Sequence, residues 1–372
     1  MKPLLILLTG ALIASTTLAK KRADQWDITF DMLEAQMNQE PVHNTCLSPF
    51  SMQLALALVN EGATGKTRKE LKNVLPTDMQ KAADNVKNQK VLTTAQSIWI
   101  NQNFASEVKP DFIQRNQKKF EAEVRTIDFN PSSAQAINAW CNEKTQGLIP
   151  KALDKVDASY SMILINALHF KAEWSSPFNA KATSQKDFLL YDGTTKPVDM
   201  MEQSAHFGYA EMCHCQIVRL PYKDSPYAMY VVLPNQAENI QSVLLNLKKE
   251  WKHLDFSSTK VHLQLPRWKS DFSTSLNQTL QQMGVKRMFS NRADFKGISR
   301  SGLRVSNVLQ KTHINVDEKD TEAAAVTAVI MVRTSLARPE KVVEMNVNRP
   351  FLYFLVDTET NTPIFAGTQT WQ

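Results

Sequence analysis

Three groups of residues in this chain have types and spacings that could do chemistry. Cys213-His214-Cys215, with His206 nearby, offers thiolate and imidazole donors of the kind zinc takes. The tetrahedral ligand spacing of a structural zinc site is missing, however, and strand alternation would turn His214 away from both thiols. With Cys46 and Cys141 the chain has four cysteines in 372 residues, too few for a disulfide framework. All four are read as buried free thiols, with no metal expected. The second group is the set of histidines, serines and aspartates from which a catalytic triad could assemble in space. No Gly-x-Ser-x-Gly elbow, His-Glu-x-x-His pair, phosphate-cradling glycine loop or dinucleotide fingerprint supports that reading, so no catalytic residue and no cofactor are assigned. The third group is the stretch Asp317-Glu318-Lys319-Asp320-Thr321-Glu322-Ala323-Ala324-Ala325-Val326-Thr327-Ala328-Val329. Read as a strand, it places Thr321, Ala323, Ala325, Thr327 and Val329 on one face, all small and uncharged, and Glu322 on the other. That face fits a packed sheet, yet alanine is a weak strand former. The stretch suits a loop that can insert into a sheet. It also suits a short helix, since Glu-Ala-Ala-Ala is good helix material, and these residues alone leave both readings open.

The elements around these groups read as α+β. Apolar spacing predicts helices over 25–39, 66–75, 109–120 and 132–145, with Ser132 as a cap for the last. Ser48 can cap a further helix with Pro49 in its first turn. Residues 275–283 form another, ended by Gly284. Strands are predicted over 91–100, 161–170, 215–220, 227–233 and 261–265. Helices dominate early and strands late, which argues against a regular βαβ series. No linker or repeat divides the chain, so one domain is expected. Ahead of it, Lys2, the apolar run from Leu4 to Ala14 and Thr17-Leu18-Ala19 have the order of a secretory leader, cleaved near Ala19-Lys20. The run is too short to span a bilayer comfortably, and no membrane association is expected. The net charge is +6. Lys87, Lys90, Arg115, Lys118 and Lys119 could contribute to a polyanion site. Acidic residues are interspersed among them, and no aromatic-interleaved basic stripe points to nucleic acid. Asn277-Gln278-Thr279 leaves glycosylation of Asn277 open.

The segment at 317–329 resembles the reactive-loop hinge of the serpins, serine protease inhibitors, and the resemblance extends over nearly the whole chain after the leader. Leu47-Ser48-Pro49-Phe50-Ser51 and Gly62-Ala63-Thr64-Gly65-Lys66-Thr67 resemble the family's buried helix start and the turn that follows. Leu164-Ile165-Asn166-Ala167-Leu168-His169-Phe170-Lys171-Ala172-Glu173-Trp174 is similar to its central strand and the tryptophan after it. Asn348-Arg349-Pro350-Phe351-Leu352-Tyr353-Phe354 and Pro363-Ile364-Phe365-Ala366-Gly367 resemble the paired strands after the loop. These motifs stand in the family's order at compatible spacings.

The resemblance implies a serpin fold of three sheets with about nine helices around them, a single domain over 20–372 and an exposed reactive-centre loop at about 318–345. It implies a secreted monomer that is not an enzyme. A target serine protease attacks the loop and becomes covalently held as an acyl-enzyme. The cut loop then inserts into the large sheet, dragging the protease with it. Residues of the hinge would be Glu318, Asp320, Thr321, Glu322, Ala323, Ala324, Ala325, Val326 and Thr327. Ser48, Pro49, Ser51 and Asn166 match the shutter, where the sheet opens, and Trp174 matches the breach, where insertion begins. Glu318 and Arg287 match positions that pair as acid and base. Three departures stand out. Asp320 replaces the usual hinge glycine, Gln310 replaces the shutter histidine, and the chain ends Thr368-Gln369-Thr370-Trp371-Gln372 without the usual Asn-Pro. The usual loop count from Glu318 places Thr334 as the specificity residue, and a count one shorter places Arg333; the reactive bond is assigned to Arg333-Thr334 because Arg333 suits a trypsin-like protease, with Thr334-Ser335 and Arg338 as alternatives. A heparin-like cofactor remains a candidate partner. The rival readings are an inhibitor of elastase-like or cysteine proteases, and a non-inhibitory carrier, chaperone or storage member, which bulky, charged or proline hinge residues would mark.

Overall fold

The computed structural model describes residues 24–318 and 340–371 apart from 42, 88, 90, 148 and 237, and for Lys87 the backbone alone. The leader at 1–19, the hinge from Asp320 to Thr327, and Arg333, Thr334, Ser335 and Arg338 therefore lie outside the described residues. Asp24 caps α1 (Gln25–Met37) by accepting from the Asp27 N–H. After β1 (Thr45–Leu47), the Ser48 hydroxyl accepts from Ser51 N at 3.0 Å and starts α2 (Pro49–Asn60), with Pro49 in its first turn. Then come α3 (Gly65–Val74), α4 (Met79–Lys87), β2 (Leu92–Asn101), α5 (Pro110–Phe120), β3 (Glu123–Ile127), α6 (Ser133–Lys144) and β4 (Met162–Phe170). The expected cap of α6 is corrected. Ser132 sits at the cap position, but its hydroxyl turns back to Asn130 Oδ1 at 2.6 Å, while Asn130 N donates to Ser133 Oγ at 3.0 Å.

The second half holds β5 (Ser184–Leu189), β6 (Thr195–Met212), β7 (Cys215–Pro221), β8 (Tyr227–Pro234), α7 (Ile240–Glu250), β9 (Ser257–Pro266), β10 (Trp268–Ser275), α8 (Asn277–Gln282), β11 (Asn307–Val316), β12 (Val343–Asn346), β13 (Phe351–Asp357) and β14 (Thr362–Gln369). Gly284, at φ +91°, follows α8 as expected of a helix stop. Asn277 uses its amide within the fold, donating to Ser306 O at 2.9 Å and accepting from Val308 N at 3.0 Å, so a glycan there would compete with these bonds.

The strands form two hydrogen-bonded networks. The smaller runs β10-β11-β4-β2-β3; the larger runs β1-β14-β13-β8-β7-β6-β9-β12, with β5 also on β6. The three sheets implied by the resemblance appear as two because the 18-residue β6 runs through two of them. It pairs with β5 along its start and with β7 along its end, joining them into one ladder. The main core packs on both faces of the larger network: Phe351 and Tyr353 meet Trp268 of the smaller network, and on the opposite face, under α1 and α7, Trp26, Phe30, Trp251 and Phe354 cluster with ring centroids 4.1–5.9 Å apart. A smaller core under α6 holds Trp99, Ile137, Trp140, Ile163 and Ile165.

β4 is covered on both faces, so every position is buried. Its alternation is strict: Met162, Leu164, Leu168 and Phe170 meet the main core, and Ile163, Ile165 and Ala167 meet the core under α6. β11 pairs with β4 in parallel from Asn307 opposite Ile163 to Ile314 opposite Phe170. That seam is where the chemistry-bearing side chains gather.

Candidate functional site

Midway along the seam, Gln310 on β11 stands opposite Asn166 on β4, both turned toward the start of α2. Gln310 accepts from Ser48 N at 2.9 Å and donates to Ser48 O at 2.8 Å and to Ser51 Oγ at 3.4 Å. The Ser51 hydroxyl in turn donates to Asn166 Oδ1. Ser48 Oγ reaches Ile364 O at 2.6 Å, tying the same point to β14. One serine therefore bridges the two strands of the seam through their side chains. All four shutter residues named from the sequence meet here, with Pro49 opening α2. Gln310 supplies both a donor and an acceptor here, which a neutral amide does at any pH. Asn166 Nδ2 finds no acceptor among the described residues, nor does Gln96 Nε2, on the residue paired with Asn166 in β2. An unmet buried donor costs on the order of 1–3 kcal/mol, so the middle of the seam is short of its hydrogen-bond optimum.

At the far end of the seam the chain leaves β11 through a fastened exit. Trp174 Nε1 donates to Asp317 O at 2.8 Å, and the indole stacks on Tyr222 at 4.3 Å between centroids. Phe178 N donates to Glu318 O at 3.2 Å. Glu318 is only 6% exposed. It accepts from Thr183 Oγ1 at 2.6 Å and faces Arg267 Nη1 at 3.6 Å. The expected Glu318–Arg287 pair is corrected. Arg287 lies in a short 3-10 turn beside α3, where its N–H donates to Glu70 Oε2 at 2.7 Å. Arg267 takes the role because β10 runs antiparallel to β11, with Trp268 opposite Val316, which brings the residue before Trp268 alongside the exit. Arg267 also bonds Asp199, and this contact first, then the Glu318 charge, pushes its already high pKa further up. Thr183 and Arg267 were missed in the sequence because nothing local marks them; their role comes from strand pairing across long sequence distances.

From residue 340 the described chain resumes and enters β12, on the edge of the larger network. Glu340 meets His206 Nε2 at 2.7 Å and Lys260 at 3.6 Å. Glu344 on β12 meets His262 Nδ1 at 2.7 Å, and Glu202 on β6 meets His262 Nε2 at 3.0 Å. Both ends of the 319–339 segment are thus anchored, one in each network.

The remaining sequence candidates disperse. Cys46, Cys141 and Cys215 are buried free thiols, and burial drives the Cys141 and Cys215 thiols up to about 12. Cys213 departs from expectation and is exposed, because β6 ends at Met212 and 213–214 form the hairpin turn. His214 Nδ1 is taken by Glu238 at 3.1 Å and His206 by Glu340, which separates the residues once grouped as metal donors. Of the basic residues, Arg115 and Lys119 both bind Glu61, at 3.7 and 2.9 Å. Lys118 is exposed, while Lys90 and the side chain of Lys87 lie outside the described residues.

Comparison with known proteins agrees with this arrangement. The family described as "Serpin (serine protease inhibitor)" matches residues 23–370. A leukocyte elastase inhibitor of Sus scrofa is 31% identical over 365 residues, covering 91% of this chain and 95% of its own. An uncharacterized serpin-like protein of Methanosarcina mazei is 31% identical over 364 residues, covering 91% and 84%. Among solved structures, the thermophilic serpin tengpin in its native state superposes with a TM-score of 0.82 at 29% identity, covering 94% of this chain and 93% of that one. Uncleaved ovalbumin shares the fold, with a TM-score of 0.81 at 23% identity over 94% and 98% of the two chains. With the family match over nearly its whole length and relatives more than 30% identical, this chain belongs to the serpin family.

Proposed function

We propose that the protein is a secreted inhibitor of trypsin-like serine proteases that acts as a suicide substrate. The observation that carries this reading is the β4–β11 seam: two adjacent parallel strands, bridged by polar side chains, with the 319–339 segment leaving from its fastened end. A segment that turns back from β11 into the seam runs antiparallel to both neighbours. One parallel pairing is then replaced by two antiparallel ones, each slightly more stable per residue. The small face of Thr321, Ala323, Ala325 and Thr327 fits such a position without steric cost.

The chemistry belongs to the protease. Its serine oxygen attacks the Arg333 carbonyl, the Arg333–Thr334 peptide bond breaks, the Thr334 amine leaves with the proton, and Arg333 remains as an ester. Insertion of the freed strand then has to outrun hydrolysis of that ester. Arg333 supplies the cation for a trypsin-like specificity pocket. A second register, with Thr334 as the specificity residue, would suit an elastase-like protease, and it is favoured by the relatives named as elastase inhibitors. The leader-like order of Lys2, Leu4–Ala14 and Ala19 supports secretion. A polyanion cofactor is not adopted, since Glu61 already occupies Arg115 and Lys119. The test is incubation with trypsin followed by denaturing electrophoresis. An SDS-resistant adduct supports inhibition. Cleaved chain with no adduct assigns the protein to the non-inhibitory readings.

A further inference from the structure

On the α6 side of the seam, opposite in direction to the shutter residues, two histidines face each other. His169 on β4 and His313 on β11 are register partners, and their ring centroids lie 5.2 Å apart with the planes inclined by 42°. Two imidazoles that share one tetrahedral ion, at metal–nitrogen distances of about 2.0–2.1 Å, hold their centroids roughly 5 Å apart. His313 Nδ1 is engaged by Asp271 on the neighbouring β10, leaving Nε2 as its ligating nitrogen. A carboxylate on the far nitrogen is the arrangement that fixes and strengthens a metal-binding histidine. His169 and His313 are 8% and 5% exposed, and both line a cavity of about 520 Å³ that Gln146, Lys171, Lys269 and Asp317 also border.

We propose that His169 and His313 form a two-histidine site for a borderline divalent transition ion, Zn2+ or Cu2+, which straddles the β4–β11 seam and clamps it shut. Imidazole is a preferred donor for both ions. Among the described residues no group of three His, Cys, Asp or Glu is placed to hold a metal. Water would therefore complete the coordination, and the ion would bind reversibly rather than as a permanent structural part. The strands it joins are the two that must separate for a loop to insert, so the bound ion opposes opening. That consequence rests on the proposed inhibitory reading; the binding itself does not.

The test uses the intact, uncleaved chain. Cu2+ titration followed by electron paramagnetic resonance should show one bound ion with two imidazole nitrogens. His169→Gln and His313→Gln should each lose that two-nitrogen signature, and His214→Gln, in the β6–β7 hairpin, should keep it. Asp271→Asn, a positioning change, should retain the signature but weaken affinity roughly 10- to 100-fold. Zn2+ should raise the Tm of the parent chain and leave the two histidine variants unmoved, a comparison that each variant's own metal-free melt controls for misfolding. Unchanged signatures in both histidine variants, or a parent Tm indifferent to Zn2+, would overturn the site. No protease enters these measurements, so their failure is distinct from failure of the inhibitory reading. The clamp is tested separately by the cleaved chain: once its Tm has risen through insertion, a retained two-nitrogen signature would overturn it.

Discussion

At the scale of single residues, the Ser51 hydroxyl and the Arg333 side chain carry different parts of the function. Ser51 joins Asn166 to Gln310 across the seam, in a site where two amide groups already lack acceptors among the described residues. Ser51→Ala should therefore lower native stability by about 1–3 kcal/mol, since it leaves further buried groups unpaired. Equilibrium unfolding in urea checks this, and an unchanged midpoint would show the bridge to be idle. Arg333→Ala should abolish the trypsin adduct while leaving the fold intact. If trypsin is still trapped, mass spectrometry of the released C-terminal fragment identifies the register, a start at Ser335 placing Thr334 before the cut. Ser48, Ser51 and Asn166 could be singled out because each belongs to a local motif, Leu47-Ser48-Pro49-Phe50-Ser51 and Ile165-Asn166-Ala167, and the structure brings Ser51 and Asn166 together. Arg267 could not, since an arginine beside a tryptophan carries no local sign that strand pairing will set it against Glu318.

At the scale of elements, the hinge and β12 are the parts whose behaviour can be set. Thr321→Arg would force a charge into the sheet on insertion, and Ala323→Pro would remove a ladder donor. Each should turn the inhibitor into a substrate, read as loss of SDS-resistant adduct with cleavage retained, while the intact chain's melt stays near the parent value. Trapping at unchanged stoichiometry in both would remove insertion from the mechanism. β12 is held to β9 and β6 by His262, which lies between Glu202, itself bonded to Lys186, and Glu344. The bonds to Glu202 and then Glu344 raise the His262 pKa above 6.5. A histidine whose folded pKa is raised gives its full stabilisation below the unfolded value and loses it as pH rises through the folded one. The β12 edge should thus be tighter in mild acid and loosen as pH climbs past 6.5, by under about 1 kcal/mol given its partial exposure. Amide hydrogen exchange at Val343–Asn346 measures this, corrected for the intrinsic pH dependence, and His262→Gln should flatten it.

At the scale of the molecule, the proposed mechanism requires a native state above its energy minimum. Cleavage at 333–334 should raise Tm. Since 1 kcal/mol moves Tm by at most about 2–4 °C in a chain larger than 150–250 residues, a rise of about 10 °C would report several kcal/mol released. An unchanged Tm after cleavage would place the protein with the non-inhibitory members of its family. The described seam is compatible with such storage because its central side-chain network is incompletely satisfied while its backbone ladder is continuous.

The sequence by itself determined the elements whose signals are local. Ser48 with Pro49 defines the start of α2, the apolar run at 162–170 defines β4, and the order of motifs defines the family. These follow from backbone preference and from burial on one strand or helix, which neighbouring residues are enough to express. Strands such as β10 and β11 stayed hidden, because Ser270, Thr274, Gln310 and Thr312 put polar residues on the inward face that would otherwise read as an apolar alternation, and their stability comes from pairing with each other and with β4. Tertiary structure alone decided that Gln310 meets Asn166 through Ser51, that Glu318 meets Arg267 rather than Arg287, and that His169 meets His313. In each case the partners are brought together by the register of a sheet assembled from distant parts of the chain. Register is set by the packing of both faces at once, which no local stretch of residues contains.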